Sequence, residues 1–296
     1  KVDITLSVWD NGWSWIQYAK YRWDNSWCTT GTNFTNGARV QVPSEWTHTL
    51  YLCTRDVAGN INTWSGVYKY DATNPTVTDN YWAKDGVWQN TQQTIVFTPN
   101  DPNGTDHSWL LSTKYCWGNT CDVSNGTIAT SITITPDKND TLRYQSYDRA
   151  WNSSTIWSIE VKIEDNNPAT TMSFTSGGNT YTPWLNSWTN QNVVGTINCS
   201  DTTGTINSGC YASSYEYRIE QNSFTCNDDI WAFASYNWSI DISTGSNTNR
   251  VEYICSRVKD IAWNGYIYSP VYQVNIDKIT PGFADLLVPI GYPIDW

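Results

Sequence analysis

Histidine is nearly absent from this chain: there are two in 296 residues, His48 and His107, far apart in sequence. A zinc centre built on a histidine pair is therefore excluded, as is the His-Glu-x-x-His signature of metalloproteases. A Ser-His-Asp site is not expected either, and no Gly-x-Ser-x-Gly elbow is present to carry one. Charge is also scarce. Charged residues make up 15% and the formal net charge is −11, which argues against nucleic acid, because that partner needs a basic surface. No run of 18 apolar residues occurs, so no membrane-spanning helix is expected. The single methionine is internal and the sequence does not open on a signal peptide. The expectation is a mature or trimmed fragment whose export signal is out of view.

Aromatic side chains and small polar residues fill the space left by charge. There are 19 tryptophans and 19 tyrosines, which no disordered chain would carry. The stretch Asp56-Val57-Ala58-Gly59-Asn60 comes back as Asp148-Arg149-Ala150-Trp151-Asn152 and as Asp260-Ile261-Ala262-Trp263-Asn264. Each copy lies between two alternating runs, and each second run closes on an acid four positions before a proline: Asp71 and Pro75, Glu164 and Pro168, Asp277 and Pro281. Three copies with matching flanks are an internal repeat. Alternating β-branched and aromatic residues on both sides read as strands, which makes the motif a hairpin corner. Its Asp and Asn read first as turn caps. The alternative is a calcium ligand set, since hard cations take clustered oxygens, although no copy has the dense spacing of a known calcium loop. No residue is assigned to metal or cofactor on this basis.

Each repeat opens on an alternating strand that runs into an Asp-turn: Asp10-Asn11-Gly12, Asp101-Pro102-Asn103-Gly104 and Asp201-Thr202-Thr203-Gly204. No stretch carries a helical period. Units of roughly 100 residues fit β-sandwich domains. The boundaries fall at 1–75, 76–168 and 169–281, with 282–296 as a C-terminal strand.

The eight cysteines divide two, two and four among the repeats. Cys28 and Cys53 share their contexts with Cys226 and Cys255: Tyr21-Arg22 matches Tyr217-Arg218, and Tyr51 to Arg55 matches Tyr253 to Arg257. The expected pairs are 28–53 and 226–255. Cys116 and Cys121 flank a four-residue loop and should close it, which leaves Cys199 with Cys210. Even numbers within each repeat imply disulfides and an oxidising, extracellular setting. Arg55 prefers water, so Leu50 and Leu52 should face the core, and Cys53 on the opposite face predicts a surface staple.

These features together resemble the immunoglobulin-like repeats of bacterial surface proteins and adhesins. The resemblance rests on Trp188-Thr189-Asn190, Asp10-Asn11-Gly12, Tyr215-Glu216-Tyr217-Arg218, Glu45-Trp46-Thr47-His48-Thr49-Leu50-Tyr51, the Asp-x-Ala-Gly/Trp-Asn corners and Ile276-Asp277-Lys278-Ile279-Thr280-Pro281. It covers essentially the whole chain. It implies an all-β fold of three tandem immunoglobulin-like sandwiches and a place outside the cell or on its surface. Repeats two and three depart from the pattern with Trp151 and Trp263 in place of glycine. Such repeats serve as stalks, shafts and spacers. Three small sandwiches also make a poor cleft for a pair of catalytic carboxylates. The chain is not expected to be an enzyme.

Two functions then stand side by side. The first is a structural subunit or shaft of a surface filament or adhesin, with copies of itself as partners. The second is a carbohydrate-binding stalk module of a larger secreted protein, with surface glycans or host-cell proteins as partners. Trp13, Trp15, Trp23 and Trp27 crowd one turn and its strand and are expected to form a contact surface. Sequons at Asn33, Asn103, Asn125, Asn139, Asn152 and Asn237 are candidate glycosylation sites of a secreted protein, although their number is about what chance gives; the one at Asn198, beside Cys199 in a strand, is the least suited. Trp88 and Trp188 stand 13 residues before Asp101 and Asp201, and repeat one has no such tryptophan before Asp10. The first sandwich should therefore lack its N-terminal strand, while Phe283, Leu286, Leu287, Val288 and Ile290 read as a spare one. A sandwich short of a strand is repaired by strand addition, which predicts head-to-tail polymerisation. The alternative is a window cut from a longer repetitive chain.

Overall fold

The computed structural model describes residues 3–12, 14–102, 108–184, 187–202, 204–227, 232–242 and 249–282. The described residues are all-β, with short 3₁₀ turns and no α-helix among them. Repeat one supplies β1 (Asp3–Leu6), β2 (Ile16–Trp23), β3 (Thr32–Asn33), β4 (Ala38–Gln41), β5 (Trp46–Asp56) and β6 (Ile61–Tyr70). Repeat two supplies β7 (Thr76–Asp79), β8 (Trp88–Gln89), β9 (Gln93–Asn100), β10 (Leu110–Trp117), β11 (Thr127–Ile128), β12 (Ser131–Ile134), β13 (Lys138–Asp148) and β14 (Trp157–Ile163). Repeat three supplies β15 (Ala169–Ser176), β16 (Asn179–Tyr181), β17 (Trp188–Thr189), β18 (Val193–Ser200), β19 (Glu216–Glu220), β20 (Ala234–Ser235), β21 (Ile240–Asp241), β22 (Asn249–Val258), β23 (Ile267–Tyr268) and β24 (Tyr272–Asp277).

Every sheet draws its strands from one repeat. The sheet orders are β3-β2-β5-β6 with β1-β4, β11-β10-β13-β14-β8 with β12-β9-β7, and β17-β24-β22-β19-β20 with β16-β15-β18-β21. This is the immunoglobulin-like arrangement, in which two sheets of each sandwich close over a shared core. By compactness the chain divides differently, into two units rather than three: 1–86, 93–134 and 140–161 form the first, and 87–92, 135–139 and 162–296 the second.

In the first unit the alternation of β5 and β13 decides which side chains go inside. Leu50, Leu6 and Val40 form the buried centre of repeat one, with Ile4, Tyr21, Trp23, Phe34, Leu52 and Tyr68 packed against it. Val77, Ile95, Phe97, Leu142, Tyr144 and Val161 are buried in the same way in repeat two. There the Tyr144 hydroxyl donates to Asp79 Oδ2, and the Phe97 ring lies 4.9 Å from that of Tyr144. In the second unit the buried cluster is larger and includes Phe174, Val193, Ile197, Ile240, Ile254 and Val274. The end of β14 (Lys162, Ile163) pairs in parallel with Trp88 and Gln89 there, and β24 pairs in parallel with Trp188 and Thr189.

The disulfides join Cys28–Cys53, Cys116–Cys121, Cys199–Cys210 and Cys226–Cys255, with Cα separations of 5.7, 6.1, 6.2 and 6.3 Å. One expectation about the disulfides fails. Leu50 and Leu52 do line the core, but Cys53 is not at the surface: it is 2% exposed and Cys28 1%. The reason is the 3₁₀ turn Cys28–Thr30, which packs on β2 and β5 and roofs the outer face of the sheet.

Candidate functional site: acidic corners of the repeats

The three Asp-x-Ala-Gly/Trp-Asn motifs fold identically, because the Asn clasps the Asp twice. Backbone N–H and side-chain Nδ2 of the Asn donate to the two carboxylate oxygens: 2.7 and 2.6 Å for Asn60 on Asp56, 2.8 and 2.8 Å for Asn152 on Asp148, 3.0 and 2.9 Å for Asn264 on Asp260. The residue between them is left-handed, with φ of 96° at Gly59, 67° at Trp151 and 66° at Trp263. The glycine of copy one is what this geometry favours, and the two tryptophans occupy it against their steric preference.

The motif Asp is half of a larger arrangement. Asp71 of the linker, Asp101 of the Asp-turn and Asp148 of the corner present carboxylate oxygens all within 4.8 Å of one another. Asp71 Oδ2 accepts from the Ser108 N–H (2.8 Å) and hydroxyl (2.6 Å), and the Asp71 carbonyl accepts from Asn152 Nδ2 (3.2 Å). One repeat on, Glu164, Asp201 and Asp260 occupy the same three places. Glu164 Oε2 accepts from Ser208 N–H at 2.9 Å, its carbonyl accepts from Asn264 Nδ2 at 3.1 Å, and Asp201 Oδ2 accepts from Gly209 N–H at 2.6 Å. Burial, together with the negative charges of Asp201 and Asp260, pushes the Glu164 carboxyl above the usual range despite its bonds to Ser208. Asp201 is raised the same way, by burial and by Asp260, against the bond from Gly209. In the sequence the linker acid, the Asp-turn and the corner are separate features. Their order recurs from one repeat to the next, but their spacing does not, so the sequence alone does not bring them together.

A second grouping, of the kind the sequence gives no reason to expect, lies in repeat one. His48 Nδ1 lies 2.6 Å from Asp24 Oδ2 and its Nε2 lies 3.0 Å from Ser44 Oγ, the order of a Ser-His-Asp triad. The two histidines belong to different repeats, but one histidine suffices, and Asp24, Ser44 and His48 all lie in repeat one. The chemistry is less persuasive than the order. Ser44 Oγ also reaches the Glu45 carbonyl (3.2 Å), and Asp24 Oδ1 takes the Thr49 N–H (2.8 Å), so the group ties β5 to the turn after β2.

The aromatic surface is partly where it was expected. Trp15 and Trp27 are 85% and 74% exposed, and Trp9 is exposed as well. Trp23 is a correction: it packs edge-on against Tyr68 (5.8 Å) and His48 (6.1 Å) and belongs to the core of repeat one. Trp13 lies outside the described residues, as do Asn103 and the strand of Phe283, Leu286, Leu287, Val288 and Ile290. Asn33, Asn125, Asn139 and Asn237 are exposed. Asn152 is unsuited to a glycan, because its Nδ2 is spent on Asp148 and on the Asp71 carbonyl.

Repeat one also holds a groove of about 470 Å³ of mixed character, lined by Ile4, Phe34, Leu52 and Tyr68 together with Thr54, Asn62 and Thr63 among others. Among the described residues β1 pairs with β4 alone, whereas its counterparts β9 and β18 are paired on both sides, by β7 and β12 and by β15 and β21.

No protein-family model matches this chain, and no curated protein matches it by sequence. Solved structures similar to it include the fibronectin(III)-like modules of Clostridium thermocellum CbhA, at 13% identity over 55% of this chain and 85% of that one, with a TM-score of 0.31. Others are the three N-terminal domains of the bacteriophage RB49 Highly Immunogenic Outer Capsid protein (9% identity, 94% of each chain, TM-score 0.37) and a tetra-tandem repeat in the extending region of a large adhesion protein (14%, 88% and 67%, TM-score 0.31). At these scores the likenesses carry no argument about what this chain does.

Proposed function

We propose that this chain is an extracellular structural module of the bacterial immunoglobulin-like repeat kind, the shaft of a surface filament or adhesin. Its first sandwich is completed by a strand from a neighbour. The observation that carries the reading is the groove beside β1. An edge strand whose outer row of backbone donors and acceptors is unpaired among the described residues, next to a groove that reaches side chains of the core, is the setting for strand addition. The segment 283–290, Phe-Ala-Asp-Leu-Leu-Val-Pro-Ile, supplies apolar side chains to fill it. Addition of that kind is heterologous, so it builds open filaments rather than closed pairs. Four disulfides support an oxidising location.

Sedimentation velocity of the full chain tests this. A concentration-dependent ladder is expected, and L286D/V288D should reduce it to monomer. A monomer at every concentration, or a ladder that L286D/V288D leaves intact, would contradict strand donation between copies. The glycan-binding reading rests on exposed Trp15 and Trp27, and glycan retention lost in W15A/W27A would favour it.

A further inference from the structure

The acidic corners are built as cation sites. Three carboxylates meet within 4.8 Å at the first, contributed by the linker, the Asp-turn and the hairpin corner, and at the second the three equivalent acids lie near enough for Asp201 and Asp260 to act on the charge of Glu164. In the second, Glu164 is 0% exposed, and its Oε1 has no hydrogen-bond partner among the described residues. Asp201 Oδ1 is likewise buried and unpartnered. Two such oxygens, next to the fully buried Asp260, stand against the rule that buried polar atoms are satisfied. Burying a bare carboxylate costs several kcal/mol unless something pairs with it. Among the described residues the bonds that Glu164 and Asp201 accept fall on their other oxygens, from Ser208 N–H on Glu164 Oε2 and from Gly209 N–H on Asp201 Oδ2, while Asn264 takes one hydrogen bond to each oxygen of Asp260. The remaining oxygens are left for a ligand of opposite charge.

The geometry points to a calcium ion bound by Glu164, Asp201 and Asp260, and to a second bound by the repeat-equivalent Asp71, Asp101 and Asp148. The donor set is all oxygen, and all eight cysteines are in disulfides, so a thiolate-loving metal is excluded. An ion that takes oxygens at about 2.4 Å can reach three oxygens spaced as Asp71, Asp101 and Asp148 are, within 4.8 Å of one another. Magnesium, which holds its ligands at about 2.0–2.1 Å and demands octahedral order, suits so open a set less well. Each ion would tie the linker acid to the two loops that carry its partners. The Asn clasp then has a second purpose: it aims the corner carboxylate, as outer-shell bonds do in metal sites generally.

The test uses the full chain, stripped with a chelator and then titrated with calcium chloride. Calorimetry should count two ions per chain, one in D71N, one in D201N and none in D71N/D201N. Thermal unfolding in about 5 mM calcium should rise by roughly 5 °C over the chelated protein, given dissociation constants of about 0.1–1 mM for extracellular calcium modules. D201N adds a change of sign that a merely structural acid would not produce. Without calcium it removes a repelling charge and should unfold no lower than wild type, whereas with calcium it should unfold below it. No binding heat together with no thermal shift would overturn the assignment, and so would a shift that survives in D71N/D201N. An equal shift with magnesium chloride would overturn the choice of calcium.

Discussion

Arg257 donates from Nε to Glu216 Oε2 at 2.6 Å, with its guanidinium between the rings of Phe233 and Tyr266, 4.1 Å from each centroid. The Arg257 side chain is 3% exposed, while Arg55, at the same place in repeat one, lies open to solvent. Removing one member of such a pair leaves a buried charge behind. E216A should therefore cost about 3 kcal/mol in urea unfolding. R257M keeps the volume between the rings and leaves only the more accessible Glu216 unpaired, so it should cost less. Equal costs would mean that the packing of the guanidinium, and not its charge, is what matters.

Trp151 has a left-handed backbone and is 74% exposed, so its ring returns little for the strain. W151G should recover about 1–2 kcal/mol of steric cost and give back about 0.5–1 kcal/mol in unfolded-chain entropy. A small net gain in the urea midpoint is expected. W151A keeps the strain and should show none. W263G should not gain either, because Trp263 packs on Tyr211 at 5.5 Å and lies under Lys259 Nζ at 5.0 Å.

Gly31 and Gly126 are needed for space rather than for conformation. A Cβ would stand 2.2 Å from the Tyr21 carbonyl oxygen at Gly31, and 2.4 Å from that of Tyr115 at Gly126. Both obstacles are backbone within paired strands, so neither can step aside cheaply. G31A and G126A should each cost about 3 kcal/mol. G37A is the control: nothing lies within 4 Å of its Cβ, so its cost is only that of a side chain at φ 84°. Denaturant midpoints for the three variants decide the ranking.

What could be read in the sequence was local. The hairpin corners, the alternation of β5 and the partners of Cys28 and Cys226 all follow from neighbours within a few positions, or from matching contexts between repeats. What could not be read was coverage. Cys53 is buried because the Cys28–Thr30 turn crosses its face, and Trp23 because Tyr68 and His48 close around it. Arg55 and Arg257 share a motif and differ in exposure because Phe233 and Tyr266 cover only the second. The meeting of Asp71, Asp101 and Asp148 required the tertiary fold, since 77 positions separate the first from the last.

The Asp24–His48–Ser44 group makes the last prediction, in which a structural and a catalytic reading part. Burial lifts the Asp24 carboxyl, but hydrogen bonds from the His48 side chain and the Thr49 N–H outweigh it and hold it below the ordinary aspartate value. A carboxyl lowered on folding binds its proton more weakly in the folded than in the unfolded chain. Its contribution to stability is therefore present above the unfolded value and lost as pH falls through the folded one, below roughly pH 4. Asp24 is largely open to solvent, so the contribution is small, about 1 kcal/mol or less. D24N, which can keep the Thr49 bond, should unfold slightly earlier than wild type at neutral pH, and the gap should close on acidification below pH 4. If the group is a strut, wild-type protein should leave a fluorophosphonate probe unreacted at Ser44. Acyl-transfer catalysis needs donors aimed at a developing oxyanion as well as a base, and labelling of Ser44 that H48A abolishes would show that such donors are present.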